Sequence, residues 1–170
     1  MIVAELNDPL VQLGVALREF CSRIGVAKNN SVVDFIQLEH CVREELNKHA
    51  QRVMAVLNPL KVIITNWDAD KTDTLLLENH PDHPEFGERE VPFGREIWID
   101  AEDFMENPPR KFFRLKPGGE VRLKGAYIIR CDEVVKNLDG TISHLLCSAD
   151  LDSRSGSPGA ERRVKGTLQW

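Results

Sequence analysis

The sequence predicts an α+β chain, with helices confined to the N-terminal part and β-structure in the remainder. Three observations carry that prediction. Apolar residues recur at three- and four-residue spacing before position 50. From Asn58 onward the texture changes to short runs rich in Val and Ile, separated by turn residues. Asp139-Gly140 lies between two such runs, where glycine supplies the positive φ of a tight hairpin turn.

Taken in order, Leu10, Leu13, Leu17, Phe20, Cys21 and Ile24 form one helical stripe over residues 10 to 24, which Gly25 ends. Ser31-Val32-Val33-Asp34 is a variant capping box. It opens a second helix through Phe35, Leu38, Cys41, Val42 and Leu46 to about His49. Strands follow over Leu60 to Ile64, Glu96 to Asp100, Val121 to Val135 and Thr141 to Ser148, punctuated by Pro92, Pro108, Pro109 and Pro117. Residues 153 to 160, with Ser, Gly and Pro, read as a mobile loop. The implied division is a helical subdomain over 1–51 and a β-domain over 52–170. There is no internal repeat.

A chain of 170 residues that is 42% hydrophobic can build a core, either as one domain or as a small helical unit with a second domain. No run approaches the roughly 20 apolar residues of a membrane-spanning helix, and the N-terminus lacks a secretory pattern. A soluble, cytoplasmic protein is the expectation. Cys21, Cys41, Cys131 and Cys147 are widely spaced and set among apolar neighbours, so they are expected to be reduced, partly buried core residues rather than a zinc site or redox dithiol.

Charge is segregated. The formal net charge is -5, yet residues 1–105 carry -9 and residues 106–170 carry +4. Between Arg110 and Arg130 there are seven Lys or Arg and one acid, Glu120. A polyanion would be drawn to this stretch and repelled by much of the rest. Single-stranded RNA is held by such a pattern, through phosphate contacts, stacking on aromatic or guanidinium planes, and hydrogen bonds to base edges. Arg110, Lys111 and Lys116 are read as phosphate partners, and Phe112 and Phe113 as stacking planes, with one of the two expected to face the core if they lie on a strand. Ordinary solvated charge is the competing reading.

Other constellations are weaker. His80-Pro81-Asp82-His83-Pro84-Glu85 places two imidazoles near two carboxylates, but the prolines stiffen it and no third spaced ligand accompanies it, so a structural loop is expected and an enzyme centred on these histidines is remote. Asp68, Asp70 and Asp73 read as a solvated turn, lacking the glycine and terminal glutamate of a calcium loop. No nucleophile–base arrangement stands out, and no metal or cofactor is expected in this chain.

Several segments in one consistent order resemble the C-terminal part of glutaminyl-tRNA synthetase. They include Arg18-Glu19-Phe20-Cys21-Ser22-Arg23-Ile24-Gly25-Val26, Leu38-Glu39-His40-Cys41-Val42-Arg43-Glu44-Glu45-Leu46-Asn47 and Arg52-Val53-Met54-Ala55-Val56-Leu57-Asn58-Pro59-Leu60-Lys61-Val62. Glu96-Ile97-Trp98-Ile99-Asp100, the basic stretch and Arg163-Val164-Lys165-Gly166-Thr167-Leu168-Gln169-Trp170 continue the series. The resemblance covers about residue 16 to the end. It implies a helical subdomain followed by the first of two anticodon-binding β-barrels, an antiparallel barrel also known from a ribosomal protein, incomplete at its C-terminal end.

It also implies roles. Arg52 stands where the family arginine reaches the middle anticodon base, Arg114 where one holds the third base, and Arg122 and Lys124 where a pair contacts the first base and nearby phosphate. Lys124 replaces an arginine, and loses the planar fork of donors that suits base edges. His49-Ala50-Gln51-Arg52 departs from the family's Asn-Ala-Pro-Arg, and Ala149 stands where an aromatic is common.

The implied function is the tRNA-anticodon-binding portion of an enzyme that ligates glutamine to tRNA with ATP and Mg. Without HIGH-like or KMSKS-like sequences this chain is expected to be inactive alone. The alternatives are the same region of a related glutamyl-tRNA synthetase and a stand-alone RNA-binding barrel. The expected partner is a tRNA anticodon loop, not DNA or a membrane. If the strand ending at Trp170 leaves an open barrel edge and a partly uncovered core, self-association and fast amide exchange over 168–170 follow.

Overall fold

The computed structural model describes residues 9–26, 28, 32–50 and 52–170, without the side chains of Pro9 and Leu10. The chain divides into two compact units, Met1–Arg52 and Val53–Trp170.

The first unit pairs α1 (Pro9–Ile24) with α2 (Phe35–His49). Gly25 stops α1 at φ 67, its N–H donating to the Cys21 carbonyl at 3.1 Å, the left-handed termination that favours glycine. The cap of α2 is Asp34, whose carboxylate accepts from the Ile36 N–H at 3.0 Å. The capping box therefore does not start the helix at its first residue, and Ser31 lies outside the described residues. The expected apolar stripe of α1 is also corrected. Gln12 and Ala16 are buried, whereas Leu13, Leu17 and Ile24 are each about two-fifths exposed, and Cys21 is exposed. Two helices bury only the narrow strip that each turns toward the other. Arg23 joins them, contacting Glu19 of α1 at 2.8 Å and Glu44 of α2 at 2.7 Å, and its guanidinium holds the Glu44 carboxyl below the usual range.

The second unit contains β1 (Pro59–Ile64), β2 (Asp73–Glu78), β3 (Glu88–Phe93), β4 (Glu96–Asp100), β5 (Glu120–Leu123), β6 (Ile128–Lys136), β7 (Ile142–Asp150) and β8 (Thr167–Leu168). Six of them form a nearly closed, barrel-like sheet in the order β4-β1-β7-β6-β5-β8. The β1–β7 and β5–β8 pairs are parallel and the others antiparallel. A separate antiparallel hairpin pairs β2 with β3. The run expected as one strand from Val121 to Val135 is two, folded at Gly125, where φ is 69 and the Ala126 N–H donates to the Leu123 carbonyl. The hairpin at Asp139-Gly140 connects β6 to β7, with Gly140 at φ 84 and the Asp139 carboxylate accepting from the Thr141 N–H.

Alternation along β1, β4 and β7 sends Val62, Ile64, Ile99, Leu145 and Cys147 inward. Phe93, fully buried, is the hub of an aromatic cluster, with ring centroids 4.8 Å from Trp67, 5.0 Å from Tyr127 and 5.3 Å from Trp170. Cys131 and Cys147 are buried cross-strand partners, a pairing that the sequence spacing hides, and the contact with Cys131, followed by burial, pushes the Cys147 thiol up.

Asp73 is not part of a solvated turn. Its carboxylate accepts from Tyr127 Oη at 2.7 Å and Arg154 Nε at 2.8 Å. The Arg154 contact, reinforced by the tyrosine, lowers its pKa, while burial and that carboxylate push Tyr127 up to about 12. A depressed carboxyl pKa stabilises the fold above the unfolded value of about 3.9, and that contribution is lost as pH falls through the folded value. Urea unfolding should therefore show a loss of stability below about pH 4 that shrinks in Asp73→Asn. An identical acid limb in both proteins would show that this carboxylate is not responsible.

Residues 151–161 do not form an untethered loop. Two 3-10 turns, Leu151–Ser153 and Pro158–Glu161, are tied by serines. Buried Ser153 donates to the Asp150 carbonyl at 2.6 Å and accepts from the Ile128 N–H at 2.8 Å. Ser155 donates to the Ala126 carbonyl and Ser157 to that of Arg154. The small polar residues that suggest mobility are here the hydrogen-bonding partners. The C-terminal residues pack on the barrel at its β8 edge. Leu168 is buried, and Trp170 donates from Nε1 to the Lys124 carbonyl at 3.0 Å while packing on Phe93. No helix among the described residues is long and apolar enough to cross a membrane.

Candidate RNA-binding site

The basic stretch begins as a loop, not as a strand. After β4, Phe104 and Leu115 form an isolated bridge, with the Met105 N–H donating to the Leu115 carbonyl and the Leu115 N–H to that of Asp103. A second tie follows, in which the Gly118 N–H donates to the Cys131 carbonyl and the Cys131 N–H to that of Gly119. Leu115 is fully buried and acts as the plug. Between Pro109 and Pro117 most of the remaining side chains turn outward. Arg110, Lys111, Phe113, Arg114 and Lys116 are exposed, and Phe112 is half-buried.

Strand alternation therefore does not decide between the phenylalanines. A turn closed by the Phe112 N–H on the Pro109 carbonyl sets their directions, and neither reaches the core. Phe113 carries Lys165 Nζ 5.6 Å from its ring centroid. That contact is possible because the backbones meet at Gly166, where an added Cβ would stand 2.0 Å from the Phe113 carbonyl oxygen. Lys165 thus joins the exposed cations of the loop although it lies far along the chain. The basic run Arg162-Arg163-Val164-Lys165 is its only sequence signal.

The arginines and Lys124 differ in how they are held. Arg114 is exposed and its Nη1 forms an ion pair with the buried Asp103 carboxylate. Arg122, half-buried on β5, spends its donors internally: Nη1 on the Ser153 carbonyl at 3.0 Å, and Nη2 on those of Ala160 and Arg162 at 2.9 and 3.0 Å. It clamps the 151–162 arc. Arg162 in turn bridges Glu120 and Asp150 at 2.7 and 3.1 Å. Lys124 is exposed on the β5–β6 turn, its main chain tied to Leu168 and Trp170. Arg52 belongs to the first unit, where its Nη2 donates to Asn47 Oδ1 at 3.1 Å. Within the second unit the loop brings Arg110, Lys111, Arg114 and Lys116 together with Lys165. This arrangement offers exposed cations for phosphates, one guanidinium held by a carboxylate and one exposed aromatic face.

The histidine segment is a packed turn. His80 is buried, its Nδ1 accepts from the Asp82 N–H, and its ring lies 4.6 Å from that of His83, which pairs with Glu85. Among the described residues no group of three or more His, Cys, Asp or Glu is placed to hold a metal ion.

Comparison with known proteins fits this geometry. Residues 50–150 match the family described as tRNA synthetases class I (E and Q), anti-codon binding domain. Over 155 residues, 91% of the chain, it is 56% identical to a glutamine–tRNA ligase of Bradyrhizobium diazoefficiens, and over the same share 55% to that of Nitrobacter winogradskyi and 52% to that of Clostridium kluyveri. The chain spans 28% of the length of each of these relatives. A match over more than half of the sequence, on a barrel that presents its basic loop outward, means that this chain belongs to the anticodon-binding domain family of the class I tRNA synthetases for glutamate and glutamine.

Proposed function

We propose that this chain binds the anticodon loop of glutamine tRNA, as the RNA-gripping portion of an enzyme that ligates glutamine to that tRNA in the cytoplasm. The observation that carries the reading is the loop from Arg110 to Lys116, pinned at Leu115 and Gly118–Gly119 so that its cations and Phe113 point to solvent. The named relatives are glutamine–tRNA ligases, which favours glutamine over the glutamate alternative. ATP and Mg would belong to the catalytic part of such an enzyme.

The residues divide by task. Arg110, Lys111, Lys116, Lys124 and Lys165 attract phosphates. Arg114, and Arg52 from the first unit, read base edges with their planar forks. Phe113 offers a stacking face, while Phe112 supports the turn beneath it. Arg122 acts mainly by holding the 151–162 arc, because its donors are already engaged. The test compares hairpins bearing the glutamine anticodon with base-substituted versions. Arg114→Ala or Arg52→Ala should reduce discrimination by about 1–3 kcal/mol, whereas Lys116→Ala should weaken all hairpins alike. Equal losses on every RNA in all three variants would remove the distinction between reading and holding.

A further inference from the structure

We infer that Asp103 is a positioning residue that makes Arg114 a reader of base edges instead of one more phosphate contact. The inference rests on the RNA-binding reading above. A guanidinium on an exposed loop would ordinarily pair with the nearest phosphate, which is anionic and recurs at every nucleotide. Selecting a neutral base edge requires a fixed direction and a local field that disfavours phosphate. Both are built around Arg114.

Direction comes first. Asp103 closes the 3-10 turn Ala101–Asp103, whose start is capped by the Asp100 carboxylate on the Glu102 N–H. Its carbonyl takes the Leu115 N–H, so the residues beside and beneath Arg114 are one hydrogen-bonded unit. Its carboxylate, only about a tenth exposed, holds Nη1 of Arg114, while the arginine side chain remains 55% exposed. Arginine has five N–H donors, and those not facing Asp103 remain available in the same rigid plane. The field comes second. Asp100, Glu102 and Asp103 line the cleft with Arg114, together with Thr167 and Gln169. One carboxylate paired with the cation and two more lining its cleft oppose the approach of a phosphate but not of uncharged acceptors. The neighbouring Arg110, Lys111 and Lys116 are exposed outside this cleft and remain the phosphate holders.

The experiment measures binding of the 170-residue chain to the glutamine anticodon hairpin and to the same hairpin with its third anticodon base replaced, across salt concentrations. Wild type is compared with Asp103→Asn and Arg114→Ala. Asp103→Asn should discriminate about tenfold less, bind the replaced hairpin at least as tightly as wild type does, and steepen its salt slope by roughly 0.7, because the released guanidinium takes one phosphate. A purely structural role would instead weaken both hairpins and flatten the slope. Retained discrimination in Asp103→Asn, with discrimination lost in Arg114→Ala, overturns the role of Asp103 and leaves the RNA reading standing. Unchanged discrimination in Arg114→Ala overturns the base-reading assignment itself, and this inference with it. If thermal melting shows that Asp103→Asn does not fold, Asp103→Glu keeps the charge and displaces it by one methylene. It should lose discrimination several-fold at an unchanged salt slope, and full discrimination there overturns the proposal.

Discussion

Phe93→Ala is expected to destabilise the second unit by about 3–5 kcal/mol, the usual cost of deleting a fully buried aromatic ring. Phe93 is 0% exposed and touches Trp67, Tyr127 and Trp170 at once, so the cavity cannot close by moving one neighbour. The loss should reach the C-terminal residues first, because Trp170 is held by this ring contact together with its hydrogen bond to Lys124. Urea unfolding followed by tryptophan fluorescence measures both. A loss under about 1 kcal/mol, well below the range for such truncations, would show that the cluster repacks, and the aromatic hub would not be what holds Trp170 on the barrel.

Gly166→Ala should cost about 2–3 kcal/mol, in the range of overpacked core substitutions, and should also weaken RNA binding. The new Cβ would lie 2.0 Å from the Phe113 carbonyl oxygen and 3.1 Å from Val121 Cγ1, and the first of these is backbone that cannot swing aside. Relief requires the basic loop and the 163–168 segment to part, which separates Lys165 from Phe113. Gly94→Ala is the control, since nothing stands within 4 Å of its added Cβ. If Gly166→Ala loses stability but keeps full affinity for the glutamine anticodon hairpin, the junction between these segments supports the fold alone.

Much of this arrangement is legible in the sequence because it is local. Period and punctuation place α1, α2, β1, β4 and the β6–β7 hairpin, and charge segregation marks the loop from Arg110 to Lys116. What escapes is non-local. Residues 73–78 and 88–93 are absent from the strands expected on period and punctuation, yet Leu75, Leu77 and Phe93 are buried members of the β2–β3 hairpin. The same limit applies to the site. A basic residue shows itself in sequence, but whether its donors are free depends on partners far along the chain. Arg122 is engaged by carbonyls at 153, 160 and 162, and Arg114 by Asp103, so two arginines that look alike in sequence have different tasks. Serine misleads in residues 153–160 for a related reason, since the hydroxyls of Ser153, Ser155 and Ser157 find main-chain partners that no composition rule anticipates.

A pinned basic loop that holds an anticodon loop through phosphates and reads it through arginine must bind with both salt dependence and sequence preference. The most direct measurement is a salt titration of the unmodified 170-residue chain against the glutamine anticodon hairpin and a scrambled-anticodon hairpin of equal length. Log K is expected to fall with log salt by roughly 0.7 for each phosphate neutralised, with the glutamine hairpin bound more tightly throughout. Affinity independent of salt, or no binding of either hairpin at low salt, would contradict it.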